Sequence, residues 1–191
     1  MMQGGGGMKL VCYGDSNTYG YDPEHPDGRY GGSVRWADAV ARSMGMDLVN
    51  LGRNGREIPR RAPEFADDAA LITVMLGTND LLRGCTAERA ARRMEDFLGG
   101  CAHVRDKLVL IAPVPVRRGS WVTGDGAAAA SREYAALCSE LAMRCGVRFA
   151  DAGKWGVALA RDGVHFTPEG HRAFAAGLLA ELRKGIDTVS E

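Results

Sequence analysis

Three short polar stretches carry residue types that together could move an acyl group. Gly14-Asp15-Ser16-Asn17 places a hydroxyl just after an apolar run, and Gly77-Thr78-Asn79-Asp80 places a carboxamide just after another. Near the C-terminus, Asp162-Gly163-Val164-His165-Phe166 sets a carboxylate three residues before an imidazole. A serine hydroxyl becomes a useful nucleophile when a base takes its proton, and the charge that develops on the attacked carbonyl oxygen needs N–H donors. His165 suits the base. Asp162, on the same turn, can fix its tautomer and stabilise the imidazolium. Ser16 is then the candidate nucleophile, and its own backbone N–H and the Asn79 amide are candidate oxyanion donors. Each stretch also has a plainer use, since Asp15 or Ser16 could merely cap a helix.

The elements that would position these groups are legible in the apolar pattern. Five runs of strand length occur, at Met8–Tyr13, Asp47–Asn50, Leu71–Leu76, Lys107–Ala112 and Val147–Ala150. None alternates cleanly, as expected of parallel strands covered on both faces. Helical stripes lie between them: Val34–Met44, a segment from Thr86 to Cys101, Ala127–Cys145 with Gly146 as its stop, and a final helix opened by Thr167-Pro168. This alternation predicts an α/β domain, a three-layer α/β/α sandwich on a five-stranded parallel sheet with flavodoxin-like order 2-1-3-4-5. In that order Ser16 follows strand 1, the loop Leu51–Pro59 follows strand 2 and Asn79 follows strand 3. All three meet at the topological switch point, where ligands bind in open α/β sheets. The segment Asp151–Val164 must fold back over the strand ends to deliver His165.

Taken in order, these motifs resemble those of the SGNH, or GDSL, hydrolase family of esterases and lipases, over about Met8 to Leu182. The resemblance implies the same sandwich fold and an acyl-enzyme on Ser16. It also implies a third oxyanion donor from the strand-2 loop. The family spacing selects Gly55 within Asn50-Leu51-Gly52-Arg53-Asn54-Gly55, leaving Gly52 to the turn. The wording Gly14–Pro23 with Asn54–Pro59 is similar to the arylesterase and acyltransferase branch, which implies short-chain or aryl esters as substrates. A carbohydrate O-deacetylase or an acyltransferase with the same triad is the alternative, and a non-catalytic binding protein on this scaffold is the third reading.

Around this core, Asp15 is expected to hold the serine loop, Asp80 to hold Asn79, and His171 to be structural. Tyr19, Tyr21, Trp121, Val122 and Trp155 are candidate pocket walls. The scattered histidines and the lack of H-E-x-x-H or paired cysteines predict no metal and no cofactor. The Gly14–Gly20 turn lacks the endings of a phosphate cradle.

Length and charge bound the rest. At 191 residues the chain fits one domain, here 8–185, between a glycine-rich leader at 1–7 expected to be disordered and a short tail at 186–191. Twenty-four basic and 24 acidic residues cancel, which gives no electrostatic case for nucleic acid or an anionic membrane. No run reaches the roughly 18 apolar residues of a membrane span. Five cysteines without a CxxC read as small core residues in a reducing compartment. The start shows no basic or apolar secretion region. A cytoplasmic enzyme acting on a small-molecule ester is the expectation, with self-association left open.

Overall fold

The structure, a computed structural model, describes residues 7–25 and 28–187. The expected leader and tail lie outside these residues, apart from Gly7 and the last helical positions 186 and 187. Five strands form one parallel sheet: β1 (Lys9–Gly14), β2 (Asp47–Gly52), β3 (Ala69–Met75), β4 (Leu108–Ala112) and β5 (Arg148–Asp151), in the order β2-β1-β3-β4-β5. This is the order expected from the sequence. Side chains alternate through the sheet. Leu10, Cys12, Val109 and Ile111 face a layer made by α2 (Trp36–Met44) and α6 (Pro168–Asp187). Val11, Tyr13, Leu108 and Leu110 face α4 (Ala87–Gly99) and α5 (Asp125–Cys145). Two short helices, α1 (Ser16–Tyr19) and α3 (Thr78–Leu82), follow β1 and β3 directly.

The central strands are apolar throughout because both faces are covered. β2 differs from that expectation. It alternates exposed with half-buried residues, leaving Val49 and Leu51 more than a third exposed. The reason is its place at the sheet edge.

Helix ends follow local chemistry. The Thr86 hydroxyl accepts from Arg89 N–H at the start of α4, and the Thr167 hydroxyl accepts from Gly170 N–H at the start of α6. Gly45 and Gly146 close α2 and α5 in the left-handed conformation. The three cysteines placed on apolar faces, Cys12, Cys101 and Cys138, are buried, and all five are free thiols. No helix of the described residues is long and apolar enough to cross a membrane.

Candidate active site

Ser16 opens α1 just past the end of β1, with Asp15 as N-cap. The Asp15 carboxylate accepts from Asn17 N–H at 3.0 Å. Burial pushes the Asp15 carboxyl up to about 6, against the opposing pull of the Asn17 N–H, the Thr78 hydroxyl and the nearby Arg56. The turn is tight enough to constrain its neighbour in β2. A Cβ on Gly52 would sit 2.1 Å from Tyr19 N, so that glycine is required by close backbone approach rather than by turn freedom.

His165 arrives from the opposite end of the chain. Its Nε2 lies 2.9 Å from Ser16 Oγ, and its Nδ1 lies 2.7 Å from Asp162 Oδ2. The other carboxylate oxygen of Asp162 accepts from Val164 N–H and His165 N–H at 2.8 and 2.9 Å. Asp162 therefore builds the turn with one oxygen and orients the ring with the other. Burial alone would raise the Asp162 pKa, but these hydrogen bonds outweigh it and hold the carboxyl below its usual range. An ionised Asp162 fixes the proton on Nδ1, which leaves the Nε2 lone pair to accept from the Ser16 hydroxyl. Burial lowers the His165 pKa, and Asp162 offsets part of that effect. The imidazole is therefore neutral at neutral pH.

What ties the two ends together is Asn17. Its Oδ1 accepts from Phe166 N–H at 3.0 Å, and its Nδ2 donates to Val164 O at 3.1 Å. These bonds bracket His165 on both sides. Its own carbonyl accepts the Trp36 indole N–H at 2.9 Å, so α2 joins the same network. Phe166 then buries against Phe174 and His171. Truncating a fully buried Phe costs about 3–5 kcal/mol in general, so this anchor is substantial. Sequence reading passed over Asn17, whose partners are backbone atoms 147 and 149 residues away.

The loop after β4 braces the histidine from outside. Arg117 N–H donates to Gly163 O at 2.9 Å, Ser120 N–H to Arg161 O at 3.1 Å, and Trp121 N–H to Asp162 O at 3.2 Å. Trp121 thereby stands edge-on to the His165 ring at 4.9 Å while remaining 58% exposed, and Tyr21 lies 4.5 Å from the same ring.

Across the cleft, Asn79 opens the second turn of the site in α3. One of its amide N–H groups donates to Arg56 O at 3.0 Å, which leaves the other for the cleft. Asp80 is buried behind it. It accepts from Ile58 N–H and pairs with Arg93, so it holds the β2 loop against α3. Burial raises its pKa, and the Ile58 N–H and Arg93 oppose the rise. Gly55 takes φ of +70°, a conformation natural to glycine. The N–H groups of Ser16 and Gly55 have no hydrogen-bond acceptor among the described residues. Together with Asn79 they border a cleft of about 360 Å³, also lined by Tyr21, Asn54, Leu82, Arg83, Trp121 and Val164.

Three expected wall residues are elsewhere. Tyr19 stacks under the Arg29 guanidinium outside the cleft. Trp155 packs edge-on to Phe174 in the α2/α6 layer. Val122 is buried beneath its loop with Val116, Ala128 and Val164. A large side chain in or beside a loop is equally suited to packing and to lining, and here packing took all three. His171 is fully buried, accepts weakly from Trp36 N–H at 3.4 Å, and is held near pKa 4 by burial and the neighbouring Arg35. It is a packing residue between α2 and α6. Among the described residues no group of three or more His, Cys, Asp or Glu is placed to hold a metal ion.

A family model described as GDSL-like Lipase/Acylhydrolase matches residues 12–173. Among solved structures, the native aryl esterase of M. smegmatis is 22% identical, with 93% of this chain and 99% of that one covered at a TM-score of 0.80. A carbohydrate acetylesterase family member from Sinorhizobium meliloti is 25% identical, covering 93% and 98% at 0.78. A member of the lipolytic G-D-S-L family from Veillonella parvula is 19% identical, covering 91% and 97% at 0.72. No curated protein sequence matches.

Proposed function

We propose that this chain, which belongs to the GDSL-like lipase/acylhydrolase family and is a carboxylic ester hydrolase, cleaves short-chain and aryl esters of small molecules through an acyl-enzyme on Ser16. The observation that carries the reading is the chain of contacts from Ser16 Oγ to His165 Nε2, and from His165 Nδ1 to Asp162, within one cleft.

The steps follow from the geometry. Neutral His165 takes the Ser16 proton as Oγ attacks the ester carbonyl. Charge passes to the carbonyl oxygen, which is received by the N–H groups of Ser16 and Gly55 and the free amide N–H of Asn79. Asp162 stabilises the imidazolium that forms. His165 then hands its proton to the leaving alcohol, which releases it. Water, deprotonated by the same imidazole, frees the acid. The cleft is at the small end of the roughly 300–1,000 Å³ typical of ligand sites, and Tyr21 and Trp121 form apolar walls beside the histidine. The aromatic walls favour a flat leaving group, and the cleft by itself holds a small acyl group.

Carbohydrate O-deacetylation by the same triad is the second reading. It draws support from the likeness to the S. meliloti carbohydrate acetylesterase family member. Activity on acetylated sugars far above that on aryl acetates would favour it.

Ser16→Ala tests the common mechanism. Hydrolysis of a short nitrophenyl ester is expected to fall on the order of 10⁶-fold, because triad residues act as a unit. Retention of full activity would overturn the reading.

A further inference from the structure

Beside the cleft lies a second cavity, of about 520 Å³, formed by Tyr13, Arg53, Asn54, Gly55, Arg56, Glu57, Pro59 and Arg83. It shares Asn54, Gly55 and Arg83 with the active-site cleft, so the two adjoin. Three arginines and one glutamate border it. The loop that supplies most of them, residues 53–61, holds four arginines and one acid in a chain whose 24 basic and 24 acidic residues cancel overall. Glu57 is already engaged by Arg83 and by Arg93. Arg56 lies over the Tyr13 ring and donates to the Gly14 and Leu51 carbonyls. Arg53 pairs with no carboxylate among the described residues and is exposed at the rim.

The direction of the substrate follows from the two faces of the sheet. His165 is carried by a loop whose Phe166 packs into the α2/α6 layer, whereas the 53–58 loop is anchored by Ile58 in the α4/α5 layer. They reach Ser16 from opposite faces. The leaving oxygen must sit at His165 Nε2 to receive its proton, so the alcohol half lies toward Tyr21 and Trp121. The carbonyl oxygen takes the direction of Gly55 and Asn79, which leaves the acyl half the wall beside them, toward Asn54 and Arg83.

Resting on the esterase reading above, the geometry points to a substrate whose acyl half carries an anionic group, such as the half-ester of a dicarboxylic acid, held in the arginine-bordered cavity with Arg53 as the free cation. Arginine suits this task because its planar fork meets carboxylate oxygens two at a time.

The test compares matched esters. On the acyl arm, phenyl hydrogen adipate is set against methyl phenyl adipate. On the alcohol arm, para-acetoxybenzoate is set against its methyl ester. Each rate is divided by the hydroxide-catalysed rate of the same ester. The parent enzyme is expected to prefer the acyl-arm anion by roughly fivefold to tenfold in kcat/KM, the scale of a partly exposed charge-assisted contact. That preference falls to about one in Arg53→Gln and inverts in Arg53→Glu. It also shrinks as ionic strength rises from about 0.01 M to about 1 M in the unmodified protein, because screening shortens from roughly 30 Å to roughly 3 Å. Equal rates for both acyl-arm esters, a preference confined to the alcohol arm, or a preference that survives Arg53→Glu would overturn the subsite. Failure to hydrolyse any of the four esters would instead count against the esterase reading itself.

Discussion

On the His165 side of the cleft, Ser16, Asn17, Asp162 and His165 are each 6% exposed or less, and nearly every polar atom has a protein partner. On the opposite side, Arg53, Asn54 and Gly55 stand in solvent, and their loop is held from behind through Asp80, Arg93 and Ile58. The same sheet end thus carries a buried, over-determined wall and an exposed, adjustable one. Proton transfer tolerates little misplacement, so the residues proposed to perform it are locked by burial and short-range bonds. Recognition of the rest of the substrate tolerates more, and the exposed loop can vary without disturbing the triad.

Substitutions on the buried wall should therefore cost most. Asp162→Asn keeps the shape but loses the charge that orients and stabilises the imidazole, and a loss in kcat on the order of 10⁴ is expected. Its pH profile sharpens the point. Activity requires neutral His165, whose pKa burial lowers, so the acid limb of kcat/KM should fall below the ordinary histidine value of about 6.5. Asp162 raises that pKa, so removing its charge should move the limb lower still while the plateau drops. A limb that moves upward would break this account of the wall.

Asn79→Ala removes one oxyanion donor and should cost roughly 10²–10³ in kcat. Asn79 bridges the two walls, since its amide also holds Arg56 O, and a changed KM alongside kcat would reveal that second role. Asn17→Leu leaves Val164 O and Phe166 N–H unpaired and lets the His165 loop drift. We expect a tenfold to hundredfold loss in kcat with little change in KM for a neutral ester. Equal damage from a substitution at exposed Asn54 would erase the contrast between the walls.

Much of the site was legible in the sequence, because Ser16 and Asn79 sit in short motifs at strand ends that the strand order brings together, and Asp162 and His165 share one turn on the segment that folds back over those ends. The clamp by Asn17 was not legible. It binds backbone atoms, which look alike at every position, across a separation of nearly the whole chain. Asn17 adjoins Ser16, however, and that adjacency was the available signal. The aromatic walls divided for a related reason. Tyr21 and Trp121 reach His165 through loop paths that depend on bonds such as Trp121 N–H to Asp162 O, while Tyr19 and Trp155 found partners elsewhere. The even burial expected of all five strands failed at the two edge strands, β2 and β5, where edge position exposes residues and apolar content gives no hint of it.

The central claim is a covalent one, and acid-quenching the enzyme during turnover of a nitrophenyl acetate tests it most directly, with peptide mass spectrometry locating the acyl group. The account predicts an acetyl on the peptide bearing Ser16, at the serine itself, and none in Ser16→Ala. An acetyl found on another residue, or rapid turnover in Ser16→Ala, would contradict it.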